Sequence, residues 1–310
     1  MNESRLIVIA GPTASGKTAL GIALAERLGG EIVSADSMQI YRGMDIGTAK
    51  ASAEERAAVP HHMLDIAEPG EDYSVSRYVA EATAVCRELL RQGKQPVVVG
   101  GTGLYIDALL AGTSFAAAEE DRALRGALAG EYDRLGGEKM LERLRGVDPE
   151  RAGKLAPGDK RRIIRALEIY AVTGENMTEH DRKTRLQPPA FEALYAVLHF
   201  TDRAALYARI ETRVDRMCER GLFEETEALL RRGVPEESTC MQAIGYRQAA
   251  AALRGECSRE EAVAMIKQAT RRYAKRQLTW FRRRKDALWL EADRMTTEEM
   301  AGRILEKFKA

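Results

Sequence analysis

The sequence predicts an α/β fold, in which a parallel sheet is flanked by helices and a helical insertion domain interrupts the chain. Strand-like and helix-like stretches alternate over about the first hundred of the 310 residues, and such alternation is typical of a parallel sheet with helices on both faces. After Gly112 the alternation stops and a helix-rich, charged region begins. We therefore expect a core made of residues 1–115 and 195–310, and a helical insertion made of residues 116–194.

The first predicted strand, Leu6–Ala10, leads into a phosphate-binding loop. Residues 11–18 fit the pattern G-x-x-x-x-G-K-[ST], and a helix is predicted from Lys17 to about Leu28. The backbone N–H groups of such a loop and the helix N-terminus favour an anion at one point. Lys17 adds a positive charge, and the hydroxyl of Thr18 can hold Mg²⁺. The core is thus predicted to be P-loop NTPase-like, with a phosphate group bound by Gly11, Pro12, Thr13, Ala14, Ser15, Gly16, Lys17 and Thr18.

Asp36 directly follows the second predicted strand, Glu31–Ala35. Ligands of parallel sheets bind at the carboxyl ends of the strands, so Asp36 is expected to face the P-loop across a site. Its carboxylate could bind Mg²⁺ through water or act as a general base on a substrate proton. The alternative is a cap of a turn, a position that Asp also favours.

A fourth strand, Gln95–Val99, ends in the glycine-rich turn Gly100–Gly103 and has no aspartate at its end. Before it, His62–Ile66 is a possible third strand and Val75–Arg91 is a predicted helix. P-loop proteins that hydrolyse nucleotides usually have a Mg²⁺-binding aspartate at such a strand end, so its absence counts against an ATPase or GTPase. The glycines allow a ligand to approach closely and Thr102 offers a hydroxyl, although a tight strand-to-helix turn explains them too.

The insertion is predicted to contain helices at Arg122–Leu135, Gly137–Leu144 and Lys160–Val172. On the last of these, Arg161 and Arg165 are four residues apart and share a face. Arginines on an insertion can close over a phosphate group, whereas a solvated charged face is the alternative. Strands resume at Leu194–Phe200 and Ala287–Leu290, which return the chain to the core.

Two later segments combine cations with aromatic or amide side chains. Arg271–Lys285 is strongly basic and contains Tyr273, Trp280 and Phe281, which suggests a polyanionic partner and stacking on bases unless the aromatic rings are core. In Met241–Arg247, Gln242 and Arg247 could contact base edges or phosphates. The alternative for that segment is a helix start with Ile244 and Tyr246 buried.

Composition excludes several other classes of protein. The formal net charge is +1, so the chain is not a basic nucleic-acid coat and any such site must be a local patch. The four cysteines form no C-x-x-C pair, which argues against a zinc site or a disulfide framework and fits a reduced cytosolic setting. No apolar run approaches the ~20 residues of a membrane helix, and the first strand leaves no room for a signal peptide.

Eight segments, in order along nearly the whole chain, resemble those of the tRNA dimethylallyltransferase family, also called the tRNA isopentenyltransferases. They are GPTASGKT at 11–18, SADSMQIYRGMDIGTAK at 34–50, HHMLDI at 61–66, YSVSRY at 73–78, VVVGGTGLY at 97–105, KRRIIRALE at 160–168, AIGYRQ at 243–248 and AKRQLTWFRR at 274–283. The combination of DSMQIYR, GGTGLY and KRQLTWF is highly specific, whereas the P-loop alone is not. The C-terminal zinc finger of some eukaryotic members is absent, which points to a bacterial-type enzyme.

The resemblance implies an activity and its partners. A dimethylallyl group would pass from dimethylallyl diphosphate to N6 of the adenosine immediately 3′ of the anticodon in tRNA, with Mg²⁺ as cofactor and pyrophosphate as product. The tRNA would be held by its anticodon stem-loop, and the adenosine would be flipped out to reach the site. No phosphoryl group moves, which explains the missing aspartate. We expect a cytoplasmic monomer without a membrane partner.

The resemblance also implies roles for individual residues. Lys17, Asp36 and Thr102 would be catalytic, with Asp36 taking the proton of the adenine amine. Arg165 would join the P-loop in binding the diphosphate, and Thr18, with or without Asp36, would hold Mg²⁺. The implied tRNA contacts are Asp36, Ser37, Met38, Gln39, Thr102, Arg125, Lys160, Arg161, Arg162, Ile163, Ile164, Gln242, Ala243, Ile244, Gly245, Tyr246, Arg247 and Arg282.

Two alternatives belong to other functional classes. A P-loop small-molecule or nucleotide kinase shares the fold, the Mg²⁺ and an arginine-bearing lid, but it leaves the basic and aromatic C-terminal stretch unexplained. A non-enzymatic RNA-binding protein with a vestigial P-loop is the other alternative, and the intact Lys17, Thr18 and Asp36 argue against it.

Overall fold

The structure, a computed structural model, describes residues 5–113 and 122–309. The chain divides into two compact units. The first runs up to Gly112 and resumes at Ala190, and the second is Thr113–Pro189. The predicted boundaries, after residues 115 and 194, lie within a few residues of this division.

The first unit is built on a six-stranded sheet in which every strand pair is parallel, as the predicted fold class requires. The order across the sheet is β3-β2-β4-β1-β5-β6, so β1 is central. The strands are β1 Arg5–Ala10, β2 Glu31–Ser34, β3 His61–His62, β4 Pro96–Gly100, β5 Glu192–His199 and β6 Leu288–Glu291.

The third strand is shorter than predicted and lies earlier. We expected it at His62–Ile66, but β3 ends at His62. Met63 and Asp65 follow with φ of +63° and +55°, in the left-handed region that a strand cannot use. The apolar pattern of this segment therefore comes from packing and not from strand geometry.

The described residues form fourteen helices. In chain order they are α1 Lys17–Leu28, α2 Ala53–Ala58, α3 Val75–Arg91, α4 Gly103–Ala111, α5 Arg122–Leu135, α6 Gly137–Val147, α7 Pro149–Ala152, α8 Lys160–Thr173, α9 Met177–Arg185, α10 Arg203–Glu219, α11 Leu222–Arg231, α12 Tyr246–Leu253, α13 Arg259–Phe281 and α14 Thr297–Lys309. None of the described helices is long and apolar enough to cross a membrane.

Both faces of the sheet are covered, which fixes where the strand ends lie. Successive strand residues point to opposite faces, and on one face Leu194 and Ala196 of β5 pack in a core with α1 and α14. Tyr195 points to the other face and packs against Phe281 of α13, with ring centroids 6.5 Å apart. Residues 6–10 of β1 are completely buried. The loops after β1, β2 and β4 are therefore held at one edge of a rigid sheet.

The second unit has a core of its own. Apolar side chains of α5, α6 and α8 are buried against one another, and Met140, Leu144 and Ile163 are completely inaccessible to solvent. This unit is thus a small helical domain inserted between α4 and β5.

Candidate active site

The P-loop connects β1 to α1 through a backbone that only certain residues can adopt. Gly11 has a φ of +150°, and a Cβ there would lie 2.8 Å from the carbonyl oxygen of Leu198 on β5. Gly16 has a φ of +92° directly before α1. Ala14 is also left-handed, with a φ of +63°, which is strained for a residue with a side chain. The loop is therefore preformed around one point at the strand end.

Two later helices hold this loop from outside. The side-chain oxygen of Gln277 on α13 accepts the N–H of Thr13 at 2.9 Å, and its amide nitrogen donates to the carbonyl of Gly101 at 2.9 Å. Nε of Arg209 on α10 donates to the carbonyl of Ala14 at 2.9 Å. A single glutamine thus joins the P-loop to the turn after β4.

Cationic groups converge on the loop without enough negative charge to balance them. The ammonium of Lys17 donates to the carbonyl of Pro12 at 2.7 Å. Burial and the nearby Arg213 lower the pKa of Lys17 to about 7, while Asp36 acts in the opposite direction. Burial likewise lowers the pKa of Arg213, and again Asp36 opposes the shift. Such perturbed cations mark a site built for an anion.

Two buried polar atoms beside the loop lack partners among the residues that the structure describes. They are the hydroxyl oxygen of Ser15 and Nε of Arg213. A buried donor without a partner costs about 1–3 kcal/mol, so such groups are normally satisfied by a ligand or by water. An anion bound to the P-loop would satisfy both.

The sequence patterns did not predict a role for Arg213. It lies on α10 beside the buried Ile210 and Val214, on the apolar face of that helix. A charged residue at a core-facing helical position is unusual unless it is paired, and this is the signal that could have found it. Tyr273 on α13 was assigned only to the basic stretch, but burial and the charge of Asp36 raise its pKa, which places it near the site.

The structure brings Asp36 and Thr102 together, as predicted. Gly100 makes this possible, because a Cβ there would lie 2.1 Å from the carbonyl oxygen of Ala35. The hydroxyl of Thr102 accepts the N–H of Ser37 at 3.0 Å and lies 3.3 Å from the Ser37 hydroxyl oxygen. Oδ1 of Asp36 accepts the N–H of Met38 at 2.9 Å. The loops after β2 and β4 therefore form one wall of the site.

The side chain of Gln39 faces inward and not to solvent. Its amide nitrogen donates to the carbonyls of Thr48 and Ala49, each at 3.3 Å, and its oxygen accepts from the hydroxyl of Ser34 at 3.2 Å. Ser37 and Met38 are half-buried. Of the segment 36–39, Gln39 is thus held most firmly by its neighbours.

The donor atoms near the P-loop fit a Mg²⁺ ion held mainly by substrate oxygens. The described residues contain no cluster of three or more His, Cys, Asp or Glu that could hold a metal. Mg²⁺ does not require one, since it keeps several waters and commonly binds one or two protein oxygens together with substrate phosphates. Thr18 at the start of α1 and the carboxylate of Asp36 are the residues that could supply those oxygens.

The predicted RNA-contact segment at residues 242–247 is only partly accessible. Gln242 and Arg247 are exposed, but Gly245 and Tyr246 are buried. Ala243 and Ile244 are half-buried and pack against the same hydrophobic core as Tyr246. Hence Gln242 and Arg247 are open to a ligand and Ala243 and Ile244 are partly so, whereas the burial of Tyr246 at the start of α12 agrees with the helix-start alternative.

In the second unit, two predicted tRNA contacts are core residues. Ile163 and Ile164 are 0% and 5% exposed, because they lie on the inner face of α8. Their side chains serve the core of this unit, and the predicted contact of these two residues with tRNA stays a prediction. Arg161 and Arg162 are exposed and Lys160 is half-buried, so these cations remain candidates.

Arg125 and Arg165, also in the second unit, share one buried carboxylate. Nε of Arg125 donates to Glu168 at 3.1 Å, and Arg165 donates to the same oxygen at 3.0 Å. Glu168 is completely buried, so it needs the two guanidinium groups as counter-charges. Both arginines therefore have an internal role, and their predicted ligand contacts stay predictions.

The basic C-terminal stretch is only partly helical. α13 ends at Phe281, and Arg282 to Lys285 follow it. Phe281 is completely buried and Nε1 of Trp280 donates to Asp107 at 2.8 Å, so these two rings serve packing and not base stacking. Arg283 stacks on the Trp280 ring at 3.7 Å. Arg271 and Arg284 are half-buried, whereas the other cations of the stretch, Arg282 among them, are exposed to a polyanion.

Two family models together, and several known proteins, match this chain over most of its length. The family model for IPP transferase matches residues 39–284, and the model for isopentenyl transferase matches residues 4–65. A tRNA dimethylallyltransferase from Pelotomaculum thermopropionicum is 48% identical over 93% of this chain and 91% of its own length. One from Symbiobacterium thermophilum is 46% identical over 98% of this chain and 96% of its own.

Solved structures agree with this assignment. The crystal structure of a tRNA isopentenylpyrophosphate transferase from Staphylococcus epidermidis has a TM-score of 0.73 and 39% identity, and the match covers 99% of each chain. A eukaryotic dimethylallyltransferase acting on tRNA has a TM-score of 0.79 and 30% identity, over 93% of this chain and 74% of its own. The chain therefore belongs to the tRNA dimethylallyltransferase family, the IPP transferases, as the eight segments predicted.

Proposed function

We propose that this enzyme transfers a dimethylallyl group from dimethylallyl diphosphate to N6 of the adenosine immediately 3′ of the anticodon in tRNA. The observation that carries the proposal is the unbalanced set of donors at the P-loop, with a carboxylate across the site. Lys17, Arg213 and Ser15 can bind an anion at the loop. Asp36 is the acidic group whose charge favours the protonated forms of Lys17 and Arg213. Such a site matches a reaction that releases pyrophosphate and a proton.

Charge development explains the cations. Cleavage of the allylic C–O bond builds negative charge on the departing pyrophosphate and positive charge on the allylic carbon. The loop amides, Lys17 and Arg213 are preorganised around the place where the negative charge grows, and such groups are usually the largest contributors to catalysis. When bound, Mg²⁺ would neutralise part of the same charge, with Thr18 and Asp36 as the residues able to hold it.

Asp36 serves as the general base. The adenine amine is a weak nucleophile because its lone pair is delocalised into the ring, so its proton must leave as the C–N bond forms. Oδ1 of Asp36 accepts the N–H of Met38, whereas Oδ2 has no hydrogen-bond partner among the described residues. Oδ2 is therefore the oxygen that takes the proton. Thr102, bonded to Ser37, keeps this loop in place.

The same geometry argues against the kinase alternative. A kinase acting on a small molecule leaves unexplained the exposed cations that follow α13, Arg282 and Arg283 among them. The relatives at 46–48% identity are tRNA dimethylallyltransferases and not kinases. The anticodon stem-loop as the bound part of tRNA, a monomeric state and a cytoplasmic location are parts of the proposal that follow from the resemblance.

The decisive experiment follows label into RNA. The protein is incubated with labelled dimethylallyl diphosphate, Mg²⁺ and an unmodified tRNA with adenosine immediately 3′ of the anticodon. The same tRNA with guanosine at that position is the control. We expect label in the first tRNA only, and pyrophosphate in equal amount. If no label entered either tRNA and the γ-phosphate of labelled ATP passed to a small molecule, the kinase alternative would be supported instead.

A further inference from the structure

The chain from Asp36 to Lys50 consists mainly of turns, and hydrogen bonds to polar and charged groups hold it in place. The ammonium of Lys50 is almost completely buried and donates to the carbonyl of Tyr41 at 2.8 Å. It also donates to carboxylate oxygens of Asp45 and Asp65, each at 2.6 Å. A buried lysine with two carboxylate partners fixes the end of this segment.

One carboxylate from another element holds the middle of the segment. Oε2 of Glu225 on α11 accepts the N–H groups of Asp45 and Ile46, each at 2.9 Å. Its Oε1 accepts the N–H of Gly47 at 3.1 Å and the hydroxyl of Tyr246 at 2.6 Å. Three consecutive backbone N–H groups form a concave anion site, and here the anion is part of the protein.

Because Gly47 has no side chain, its backbone can approach the ring of Tyr246 closely. A Cβ at Gly47 would lie 2.5 Å from the ring of Tyr246, so a side chain would force the two apart. Tyr246 is completely buried and begins α12, directly after the exposed Gln242 segment. Glu225 thus connects the backbone of residues 45–47 with Tyr246, which belongs to the segment 242–247 that we expect to contact tRNA.

The other side of the same turn holds Gln39. Its amide nitrogen donates to the carbonyls of Thr48 and Ala49, which directly follow the three N–H groups bound by Glu225. These two carbonyls accept hydrogen bonds only, so they fix which end of the carboxamide is nitrogen and which is oxygen. A shift of the turn would therefore release or reorient Gln39, three residues from Asp36.

We propose that Glu225 is a positioning residue for tRNA: it holds the turn 45–49, which in turn orients Gln39 beside the catalytic Asp36. The inference rests on the proposed function, because it concerns the way in which the tRNA adenosine is received. The hydrogen bonds that Glu225 makes with described residues go to the turn 45–47 and to Tyr246 and not to the P-loop, so we expect the binding of the diphosphate to be independent of it.

Glu225→Gln tests the chemistry of the carboxylate with little change in shape. The amide has one accepting oxygen and a donating NH2 group, yet it must face four donors, so at least one donor meets another donor. Hydrogen bonds to a charged group are about twice as strong as neutral ones, so we expect the KM for tRNA to rise about tenfold. The KM for dimethylallyl diphosphate should change by less than about twofold.

Glu227→Gln is the matched control, because Glu227 lies on the same helix and pairs with Arg231 at the surface. It should leave both KM values unchanged, as exposed pairs contribute little. If wild-type protein modifies tRNA and Glu225→Gln behaves like Glu227→Gln, the inference is wrong. If wild-type protein does not modify tRNA at all, the proposed function has failed instead.

A double-mutant cycle separates positioning from general stabilisation. If Glu225 acts through Gln39, Glu225→Gln should have little further effect on the KM for tRNA in a Gln39→Ala background. Additive effects would overturn the inference. Tyr246→Phe removes a single hydrogen bond to Glu225. If Glu225→Gln fails to fold, Tyr246→Phe replaces it in the double-mutant cycle with Gln39→Ala. A several-fold rise in the KM for tRNA, absent in the Gln39→Ala background, is then the expected result.

Discussion

Asp36 is the residue with the most direct part in the proposed chemistry. Its Oδ1 is fixed by the N–H of Met38, so the carboxylate cannot rotate freely away from the site. We expect Asp36→Ala to lower kcat by roughly 10²-fold or more, the scale of the loss of a general base. The measurement is single-turnover transfer of labelled dimethylallyl groups at saturating tRNA, with the Kd for tRNA determined in parallel.

The Kd for tRNA serves as the internal control for Asp36→Ala. Removal of a base should leave it within about threefold of wild type, because the proton transfer that the variant lacks takes place only in the transition state. Asp36→Asn keeps the hydrogen bond with Met38 and should be as inactive as alanine. Full turnover in the asparagine variant would remove Asp36 as the base.

Lys17 gives a prediction about pH. In the free protein, burial and Arg213 lower its pKa to about 7, so the ammonium loses its proton as the pH rises through that value. Bound pyrophosphate supplies negative charge and raises the pKa of Lys17 again. Binding above pH 7 therefore takes up a proton, and the affinity for pyrophosphate should fall as the pH rises from about 7 to about 9.

Calorimetry in buffers of different ionisation enthalpy measures that proton directly. Pyrophosphate titrates as well, so Lys17→Met is the matched control, because it keeps the titration of the ligand and removes that of the ammonium. We expect proton uptake at about pH 8 to be larger in wild type than in the variant. Equal uptake in both proteins would show that Lys17 is already charged in the free site.

At this scale, the residues whose place at the edge of the sheet could be predicted from the sequence belong to local motifs. Lys17, Thr18 and Asp36 closely follow strands, so their position depends only on the strand and the turn beside them. Arg213 and Gln277 reach the P-loop from helices that lie some two hundred residues or more later in the chain. Only tertiary packing brings them there, and no local pattern encodes it.

Among the elements, α13 combines two tasks. Its inner face carries Gln277 and Phe281, which fix the P-loop and cover the sheet. Its outer face and C-terminal end carry the exposed cations. The aromatic residues of this stretch were open to two interpretations, since a linear pattern cannot show which face of a helix meets the sheet.

Arg282 and Arg283 directly follow α13 and both are exposed, so both can meet a phosphate backbone. Arg284 is less suitable, since its guanidinium lies over the Tyr195 ring at 4.6 Å and near the carboxylate of Asp107. We expect the double substitution of Arg282 and Arg283 by Gln to weaken tRNA binding. The slope of log K against log salt should fall by about 1 for each tRNA phosphate that the variant no longer neutralises.

Lys307 and Lys309 on α14 provide the control for that experiment. They are exposed, but α14 covers the opposite face of the sheet. Their substitution by Gln changes the net charge of the protein equally and should leave the salt slope unchanged. Equal slopes in all three proteins would mean that the arginines are merely solvated.

Element boundaries were predictable where strong local signals occur. α3 begins after Ser74, whose hydroxyl accepts the N–H of Arg77, and its predicted bounds are those observed. The predicted third strand was wrong because Met63 and Asp65 adopt positive φ, and at this place Lys50 and Arg56 bind the carboxylate of Asp65. Such a contact joins distant side chains and leaves no trace in the hydrophobic period.

For the whole molecule, the way in which the insertion leaves and re-enters the first unit is informative. The N–H of Ala190 donates to the carbonyl of Leu110 at 2.9 Å, and a Cβ at Gly112 would lie 2.7 Å from that of Ala190. The two ends of the first unit are therefore adjacent. The second unit has its own core around Leu144 and Ile163.

These adjacent ends predict that the insertion can be removed without unfolding the sheet. In a variant with residues 113–189 replaced by a short Gly-Ser linker, the first unit should unfold in one cooperative transition, because the two core clusters described around Leu24 and Tyr246 are made of residues of the first unit. Pyrophosphate should still bind, since Lys17 and Arg213 remain. Transfer of the dimethylallyl group to tRNA should fall by roughly 10²-fold because the adenosine is no longer positioned.

The full chain with Lys160, Arg161 and Arg162 changed to Gln is the matched control. It keeps the second unit, and we expect a loss in tRNA affinity alone. A large loss of pyrophosphate binding in the excised variant would instead support the predicted diphosphate contact of Arg165.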